Sequence, residues 1–274
     1  MSTTKSCVKP NYPGLRDLSE TKRLKAQSDL VTAAFGGLVL CPVALAASDL
    51  RVLDSGTADG LFLRQLRSML AYPDTATLIG TDIAPLEQNV DKPDYIEWHK
   101  QDINADWPEV WQGTFDFVHQ RVVSNTGNWD GAVKATTRLA RLAKTGGYVQ
   151  LVDSALPIEE IEEASFGSFG PNNHAGDKLD NSLSATGEVT EIGHKEAAIL
   201  LGVSAEDEET RQAGRVWLSG LRHAVGNGLA KMSDSATMSQ TAWNDLVTEV
   251  KDQSVATGVE FKWWAAWGKR KISA

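Results

Sequence analysis

The sequence predicts an α/β fold built on a doubly wound, mostly parallel β-sheet. Between residues 50 and 153, five short apolar segments alternate with segments in which apolar residues recur at helical spacing. The central segments are almost continuously apolar, as is typical of strands buried on both faces. Acidic residues follow the first three segments, which places them at one edge of a parallel sheet. Right-handed helical crossovers between parallel strands are the arrangement that this order favours.

The first strand ends in a sharp turn within residues 50–60, Leu-Arg-Val-Leu-Asp-Ser-Gly-Thr-Ala-Asp-Gly. Gly56 and Gly60 allow positive φ and a close approach of the backbone to a ligand, and a helical pattern follows. A dinucleotide-binding turn would read G-x-G-x-x-G and face a pyrophosphate, which Asp54 and Asp59 would repel. These acids suit instead a ligand with an ammonium and a sulfonium group, such as S-adenosylmethionine. The candidate contacts in the turn are Asp54, Ser55, Gly56 and Gly60.

Two further acids end the second and third predicted strands, at residues 77–82 and 94–98. Asp82 can accept hydrogen bonds from both hydroxyls of a ribose, and Asp102 can accept one from an adenine amino group. The predicted apolar walls on either side of the adenine ring are Ile83 and Ile103. Each acid alone also fits a helix N-cap or a solvated loop, and the first turn alone fits an ordinary strand-to-helix loop. Three acids at the ends of three successive strands favour a ligand site.

A fourth strand is predicted at residues 114–119 and a fifth at residues 147–153. The helix between them covers about residues 131–143, and Lys-Thr-Gly-Gly after it is a good helix stop. His119 lies at the carboxyl end of the fourth strand, the edge at which ligands bind in such sheets. It is the best placed of the five histidines for catalysis, although a histidine that packs and hydrogen-bonds there is the alternative.

The order of motifs over residues 50–153 resembles the class I S-adenosylmethionine-dependent methyltransferases. More narrowly, residues 52–60 and 115–121 resemble the fungal secondary-metabolism methyltransferases, a group that includes the gliotoxin-type thiol methyltransferases. The resemblance implies a Rossmann-like fold, S-adenosylmethionine as cofactor, and a place for the loop of His119, Gln120 and Arg121 near its methionine part. It also implies methyl transfer to a small natural product, with a thiol acceptor ahead of a hydroxyl or an amine.

One residue departs from the class pattern, because Ala58 stands where a glycine is usual. An added methyl group there could crowd the cofactor, although the fungal group accepts Ala-Asp-Gly at this place. The alternative function is therefore a methyltransferase-like protein that binds the cofactor without methyl transfer, as a regulator, a partner or a pericyclization scaffold. A nicotinamide oxidoreductase is disfavoured by Asp54 and Asp59.

The chemistry of the cofactor limits what the protein has to supply. A sulfonium is already a strong methyl donor, so the protein mainly holds the acceptor in line and excludes water. A thiolate forms near neutral pH, whereas a hydroxyl needs a positioned general base. With a thiol acceptor, we expect His119, the catalytic candidate, to position groups rather than to remove a proton.

Composition narrows the class of protein and of partner. The formal net charge of −9 argues against nucleic acid and anionic membrane as partners, and a small-molecule substrate is what the resemblance implies. Cys7 and Cys41 are too few for a disulfide framework, lack metal-ligand spacing, and fit a reducing, cytoplasmic location with no bound metal. The oligomeric state is not predicted.

The N-terminal segment, residues 1–48, is predicted to form a helical cap rather than a membrane anchor. Residues 30–48 carry no charge, but Gly-Gly and Pro interrupt them, so a helix from about Ser19 to the glycine pair is the better interpretation. Gln27 falls on the apolar face of this helix and must either bond to backbone or point into the active site. Tyr12 and Arg23 are weaker substrate candidates from this segment.

After the S-adenosylmethionine-binding core of residues 49–153, residues 154–257 are predicted to form a substrate cap as a helical insertion. Its long Gly- and Asn-rich loop, residues 165–190, is either a substrate mouth or disordered, and helices are predicted over 191–231 and 239–253. Residues 258–274 form a closing strand and tail, and a seventh strand is either missing or hidden in 198–204. The remaining substrate candidates are Arg121, Phe166, Phe169 and His174.

Overall fold

The computed structural model describes residues 18–83, 92–122, 129–154, 176–231 and 239–272. They form a seven-stranded sheet in the order β3-β2-β1-β4-β5-β7-β6. The strands are β1 (Arg51–Ser55), β2 (Thr77–Asp82), β3 (Ile96–Lys100), β4 (Phe115–Arg121), β5 (Ala143–Ser154), β6 (Val189–Leu201) and β7 (Val259–Arg270). The helices are α1 (Leu18–Phe35), α2 (Leu61–Arg67), α3 (Trp129–Leu142), α4 (Leu179–Ala185), α5 (Glu208–Lys231) and α6 (Gln240–Ala256).

The first five strands are parallel, and only β6 and β7 join the sheet in antiparallel pairs. This is the doubly wound, mostly parallel sheet that the alternation of apolar segments predicts. The strand order changes direction between β1 and β4, which is where open α/β sheets bind their ligands. In the register of these two strands, Asp54 lies opposite His119 and Ser55 lies opposite Gln120.

Helices cover both faces of the sheet. On one face, Phe35 of α1 and Trp217 of α5 pack with Trp263 of β7 in a buried cluster. On the other face, Leu139 of α3 and Leu183 of α4 pack against β4 and β5. Trp263 and Trp267 share the first face, and Trp264 points to the second, so these tryptophans are packing residues as predicted.

The predicted helix over residues 191–231 is wrong in its first part. Residues 189–201 are the edge strand β6, and the helix α5 begins only at Glu208. Most side chains of an edge strand are exposed, so its sequence lacks a regular apolar alternation, and pairing with β7 stabilises it instead. The seventh strand therefore exists and overlaps the 198–204 segment. Residues 179–185, predicted as loop, form the helix α4.

The N-terminal helix agrees with its prediction, since α1 ends directly before the glycine pair. Gly36 has a φ of 70°, which is the left-handed conformation that ends many helices. Beyond it, the buried side chain of Gln150 fixes the chain by accepting from the N–H of Leu40 over 2.7 Å and donating to the carbonyl of Leu38 over 3.1 Å. In the part of the chain that the structure describes, no helix has the length and apolar character needed to cross a membrane.

Candidate functional site

The turn after β1 has an unusual backbone that follows from its sequence. Gly56, Ala58 and Gly60 all have positive φ, at 71°, 50° and 75°. The N–H of Ala58 donates to Oδ2 of Asp82 over 3.1 Å, and the N–H of Thr57 donates to the carbonyl of Thr81 over 2.8 Å. The left-handed conformation of Ala58 explains why a glycine is usual there. These two hydrogen bonds nevertheless join the turn to the end of β2 in the presence of the Ala58 methyl group.

Gly60 is required by a close contact as well as by its φ. A Cβ atom at this position would lie 2.5 Å from the Cη2 atom of Trp98, closer than real Cβ contacts. Next to it, Asp59 is buried and accepts from the N–H of Leu61 over 3.1 Å, and Arg64 binds its carboxylate over 3.2 Å. The turn and the start of α2 are thus held in one defined conformation.

Asp54 and His119 form a buried pair across the two central strands. Nδ1 of His119 lies 2.7 Å from Oδ1 of Asp54, and both side chains are almost fully buried. The imidazole ring also stacks on the ring of Phe62, with centroids 3.5 Å apart and an angle of 3° between the planes. Since a carboxylate only accepts, the proton of this bond belongs to Nδ1, and Nε2 keeps its lone pair.

Burial sets the protonation state of His119. Removal from water lowers the pKa of the imidazole, and the hydrogen bond and negative charge of Asp54 oppose this effect without overcoming it. A neutral imidazole whose Nδ1 is held by an acid is the arrangement of a general base, because Asp54 would stabilise the imidazolium formed when Nε2 takes up a proton.

The side chains of Ser55 and Gln120 form a hydrogen bond on the opposite face of the same two strands. The hydroxyl of Ser55 donates to Oε1 of Gln120 over 3.1 Å, and both side chains are buried. Because residues alternate along a strand, this bond points away from the Asp54–His119 pair. The predicted contacts of Ser55 and Gln120 with a cofactor stay predictions.

The predicted ribose and adenine residues lie together at the edge formed by β2 and β3. The N–H of Gln101 donates to the carbonyl of Asp82 over 3.0 Å and so joins the ends of the two strands. Oδ1 of Asp102 accepts from the N–H of Asn104 over 2.9 Å, so this oxygen caps the loop. A role in the loop was the alternative to the predicted contact with adenine. Ile83 and Ile103 follow the two acids and are half-buried.

The cap helix α1 contributes polar side chains that face the end of β4. Nη1 of Arg121 donates to the hydroxyl of Ser28 over 3.2 Å, and Ser28 donates to Oε1 of Gln65 on α2 over 2.9 Å. Gln27 is buried, and its Oε1 lies 3.5 Å from Nη1 of Arg23, which also binds Glu20. Burial lowers the pKa of Arg121, and the negative charges of Asp54 and Asp59 oppose that effect.

The structure therefore brings together half of the predicted site residues. The residues that meet around the carboxyl ends of β1, β2 and β4 are Asp54, Ser55, Gly56, Gly60, Asp82, His119, Gln120 and Arg121. The residues that lie outside the described ranges are Tyr12, Phe166, Phe169 and His174. Within those ranges, no three His, Cys, Asp or Glu side chains form a group that could hold a metal ion.

Sequence reasoning missed Ser28, Gln65 and Phe62. Ser28 lies four residues after Leu24 and three before Val31, so it is a small polar residue on the apolar face of α1. A polar residue at such a position has to find a hydrogen-bond partner, so Ser28 could have been identified from the sequence. Phe62 and Gln65 carried none, because a phenylalanine and a glutamine on an amphipathic helix are ordinary.

Comparison with known proteins identifies relatives over almost the whole length. The chain is 31% identical to the N-methyltransferase sirN of Leptosphaeria maculans, covering 97% of both proteins. It is 30% identical to the N-methyltransferase tcpN of Claviceps purpurea, covering 93% of this chain and 96% of that protein. It is also 39% identical to the N-methyltransferase gliN of Aspergillus fumigatus, over 50% of this chain and 48% of that protein.

A scan of family models finds no match. Among solved structures, a chain from the complex between the Haloferax volcanii Trm112 methyltransferase activator and a methyltransferase aligns with a TM-score of 0.52 and 15% identity. The alignment covers 93% of this chain and 95% of that one, and it supports the fold alone. Because it is 30–31% identical to sirN and tcpN over almost its full length, the chain belongs to the family of these fungal N-methyltransferases and is a class I S-adenosylmethionine-dependent methyltransferase.

Proposed function

We propose that this enzyme methylates a nitrogen atom of a small natural product of secondary metabolism. Two findings support nitrogen ahead of the thiol that the sequence analysis placed first. The relatives that cover almost the whole chain are named N-methyltransferases. The buried Asp54–His119 pair is the observation that carries the proposal, because a nitrogen acceptor has to lose a proton and a thiolate does not.

The residues at the sheet edge fit the cofactor. When bound, S-adenosylmethionine supplies a methyl group on a positively charged sulfur. Gly60 allows the turn after β1 to pack closely against Trp98, and Asp82 at the end of β2 would accept hydrogen bonds from ribose hydroxyls. Ser55 and Gly56 would line the same turn, and the proposed adenine contacts are Asp102, Ile83 and Ile103.

His119 would act as the base for the acceptor. As the nitrogen lone pair forms the new N–C bond, its N–H proton passes to Nε2 of His119. The S–C bond breaks and its electron pair stays on sulfur. Asp54 stabilises the resulting imidazolium over the 2.7 Å bond, and the proton leaves to solvent before the next turnover. A general base of this kind contributes about 10²- to 10⁴-fold to the rate.

The acceptor side of the site belongs to the cap. We propose that Gln27 and Arg121 line it from α1 and β4, and that Tyr12, Phe166, Phe169 and His174 complete it. The cap over the 49–153 core would then be drawn from residues 1–48 and 154–257, except that β6 within the second range belongs to the sheet, which residues 258–274 close. Thiol methylation is the second candidate, because burial lowers the pKa of His119 and so limits it to being a weak base.

The test uses four small acceptors that share one scaffold. They differ only in the acceptor group, which is a secondary amide, an amine, a thiol or a hydroxyl. The enzyme is incubated with each compound and with cofactor that carries an isotopically labelled methyl group. Mass spectrometry then locates the label. We expect label on nitrogen, and turnover of the thiol alone would replace the proposal by the second candidate. A thiol-only result with His119→Gln still active would confirm that replacement.

A further inference from the structure

The imidazole of His119 is fixed by two contacts of different kinds. Its Nδ1 lies 2.7 Å from Oδ1 of Asp54, and one face of the ring lies on the ring of Phe62. A hydrogen bond at one ring atom fixes that atom but leaves the plane of the ring free to tilt. Contact over a whole face removes this freedom. Together, the two contacts fix the plane of the imidazole and the direction in which Nε2 points.

Phe62 is itself held in a defined position. It is the second residue of α2 and follows the turn after β1, in which Gly60 has a φ of 75°. Its buried ring packs on the ring of Phe117, with 6.2 Å between the centroids and 53° between the planes. The position of the Phe62 ring therefore depends on the conformation of the turn that precedes it.

The stacking geometry is unusual for two neutral rings. The ring centroids of Phe62 and His119 are 3.5 Å apart, and the planes differ by 3°. Since carbon atoms in contact are about 3.5–4.0 Å apart, the rings lie almost directly over each other, without a sideways offset. Neutral aromatic pairs prefer an offset or an edge-to-face arrangement, because the faces of both rings are negative. A ring face attracts a cation, so this geometry suits the imidazolium better than the neutral imidazole.

The charged groups that act on His119 come from the two central strands. Burial lowers the pKa of His119 most strongly, the hydrogen bond and charge of Asp54 on β1 raise it, and the charge of Arg121 at the end of β4 lowers it. From α2, the neutral ring of Phe62 faces the imidazole. A buried imidazolium gains from a group that stabilises its charge without admitting water, and the face of an aromatic ring is such a group.

We propose that Phe62 is the positioning residue of His119, which holds the plane of the imidazole and stabilises its protonated form through the face of the aromatic ring. Such a cation–π contact is stronger in a buried site than at the surface. The proposal rests on the proposed function, in which His119 takes up a proton from the acceptor. It adds a residue of α2 to a base that is otherwise built from β1 and β4.

The experiment measures the pKa of His119 by nuclear magnetic resonance, in the full chain with isotopically labelled histidine rings and without acceptor. His119→Gln identifies the signal of His119 among the five histidines. In Phe62→Leu, an aliphatic side chain keeps the surroundings apolar but has no aromatic face. We expect the pKa of His119 to fall by about 0.5–1.5 pH units, the size of a buried cation–π contact.

Turnover gives a second measurement on the same variant. With the secondary amide or the amine as acceptor, kcat of Phe62→Leu should fall by about 2- to 10-fold, because His119 becomes a weaker base. KM for the acceptor should stay unchanged, because Phe62 acts through His119.

Phe117→Leu is the matched control. Phe117 is fully buried in the same cluster as Phe62, and its ring is tilted by 51° to the imidazole, with 6.3 Å between the centroids. The packing lost is comparable, but no stacked face is lost. The pKa of His119 should therefore change by less than about 0.3 pH units in this variant. Urea unfolding should show similar losses of stability for Phe62→Leu and Phe117→Leu.

Two results would overturn the proposal. A rise in the pKa of His119 toward 6.5 in Phe62→Leu would show that the ring only excludes water. Equal changes of this pKa in Phe62→Leu and Phe117→Leu would show that both residues only pack. The resonance titration needs no turnover, so these results differ from a wild-type pH–rate profile without an acidic limb, which would overturn the proposed function and this proposal with it.

A second series keeps the test decisive if Phe62→Leu does not fold. Phenylalanine analogues with one, two and three ring fluorines at position 62 keep the shape of the ring and weaken its negative face in steps. The pKa of His119 should fall in the same order. A pKa that does not depend on the number of fluorines would overturn the proposal.

Discussion

Nδ1 of His119 lies 2.7 Å from Oδ1 of Asp54, although 65 residues separate them in the sequence. The parallel register of β1 and β4 places the two residues directly opposite each other, so their side chains share one face of the sheet. Phe62 covers the imidazole from α2. The pair is therefore shielded from water, and in the proposed function it would accept the proton of the nitrogen acceptor.

Replacement of His119 by glutamine tests the proton-transfer role. Since burial lowers the pKa of His119, the acidic limb of kcat/KM should lie below pH 6.5, the ordinary value for histidine. In His119→Gln this limb should disappear, and turnover of a nitrogen acceptor should fall by about 10²- to 10⁴-fold. A pH–rate profile of both proteins provides the measurement. If the variant kept most of its activity toward nitrogen, the positioning role expected for a thiol acceptor would be correct.

The same group predicts a pH dependence of stability. Between the lowered pKa of the folded state and about 6.5, the unfolded chain binds more protons than the folded one. The free energy of unfolding should therefore be highest above pH 6.5 and fall as the pH decreases through this window, by at most about 1.4 kcal/mol per pH unit. His119→Gln lacks this contribution. Urea unfolding at pH 7.5 and 5.5 should show a smaller loss for the variant, and parallel losses would argue against the burial of a neutral imidazole.

Asp82→Ala should weaken the binding of S-adenosylhomocysteine by about 1–3 kcal/mol, because charge-assisted bonds to the ribose are lost. Asp82 also accepts from the N–H of Ala58, so the variant should lose some stability as well. Asp82→Asn is the control, since its amide oxygen can still accept that bond. Titration calorimetry and thermal unfolding separate the two effects. Wild-type affinity in Asp82→Ala would make Asp82 a structural residue of the turn.

Gly60→Ala should destabilise the protein more than Gly36→Ala. Both glycines have positive φ, at 75° and 70°, and a left-handed alanine costs about 1–2 kcal/mol at either position. Only at position 60 would the new Cβ also meet a side chain, Trp98, at 2.5 Å, whereas position 36 has no atom within 4 Å. Overpacking adds about 1–3 kcal/mol, which should appear as the difference between the two variants in chemical unfolding. Equal losses would mean that Trp98 moves without cost.

The sequence by itself determined the repeating order of strand, turn and helix, because that order depends on the spacing of apolar residues and glycines within each short segment. The glycines after Asp54, the end of α3 just before Lys-Thr-Gly-Gly, and the end of α1 at the glycine pair are all decided by residues a few positions apart. The acids at the strand ends followed from the same reasoning, since parallel strands bring their carboxyl ends to one edge. The fold and the cofactor could be predicted on that basis.

Only the tertiary structure decided which of these side chains meet. The strand β6 is held by pairing with β7, and its own exposed residues gave no regular pattern. Arg121 reaches Ser28 across 93 residues because α1 docks beside the end of β4, and Asp54 reaches His119 through strand register. Such contacts depend on packing between distant segments, which local propensity does not encode. The chemistry at the sheet edge therefore became visible only when β1, β4 and α1 were placed together.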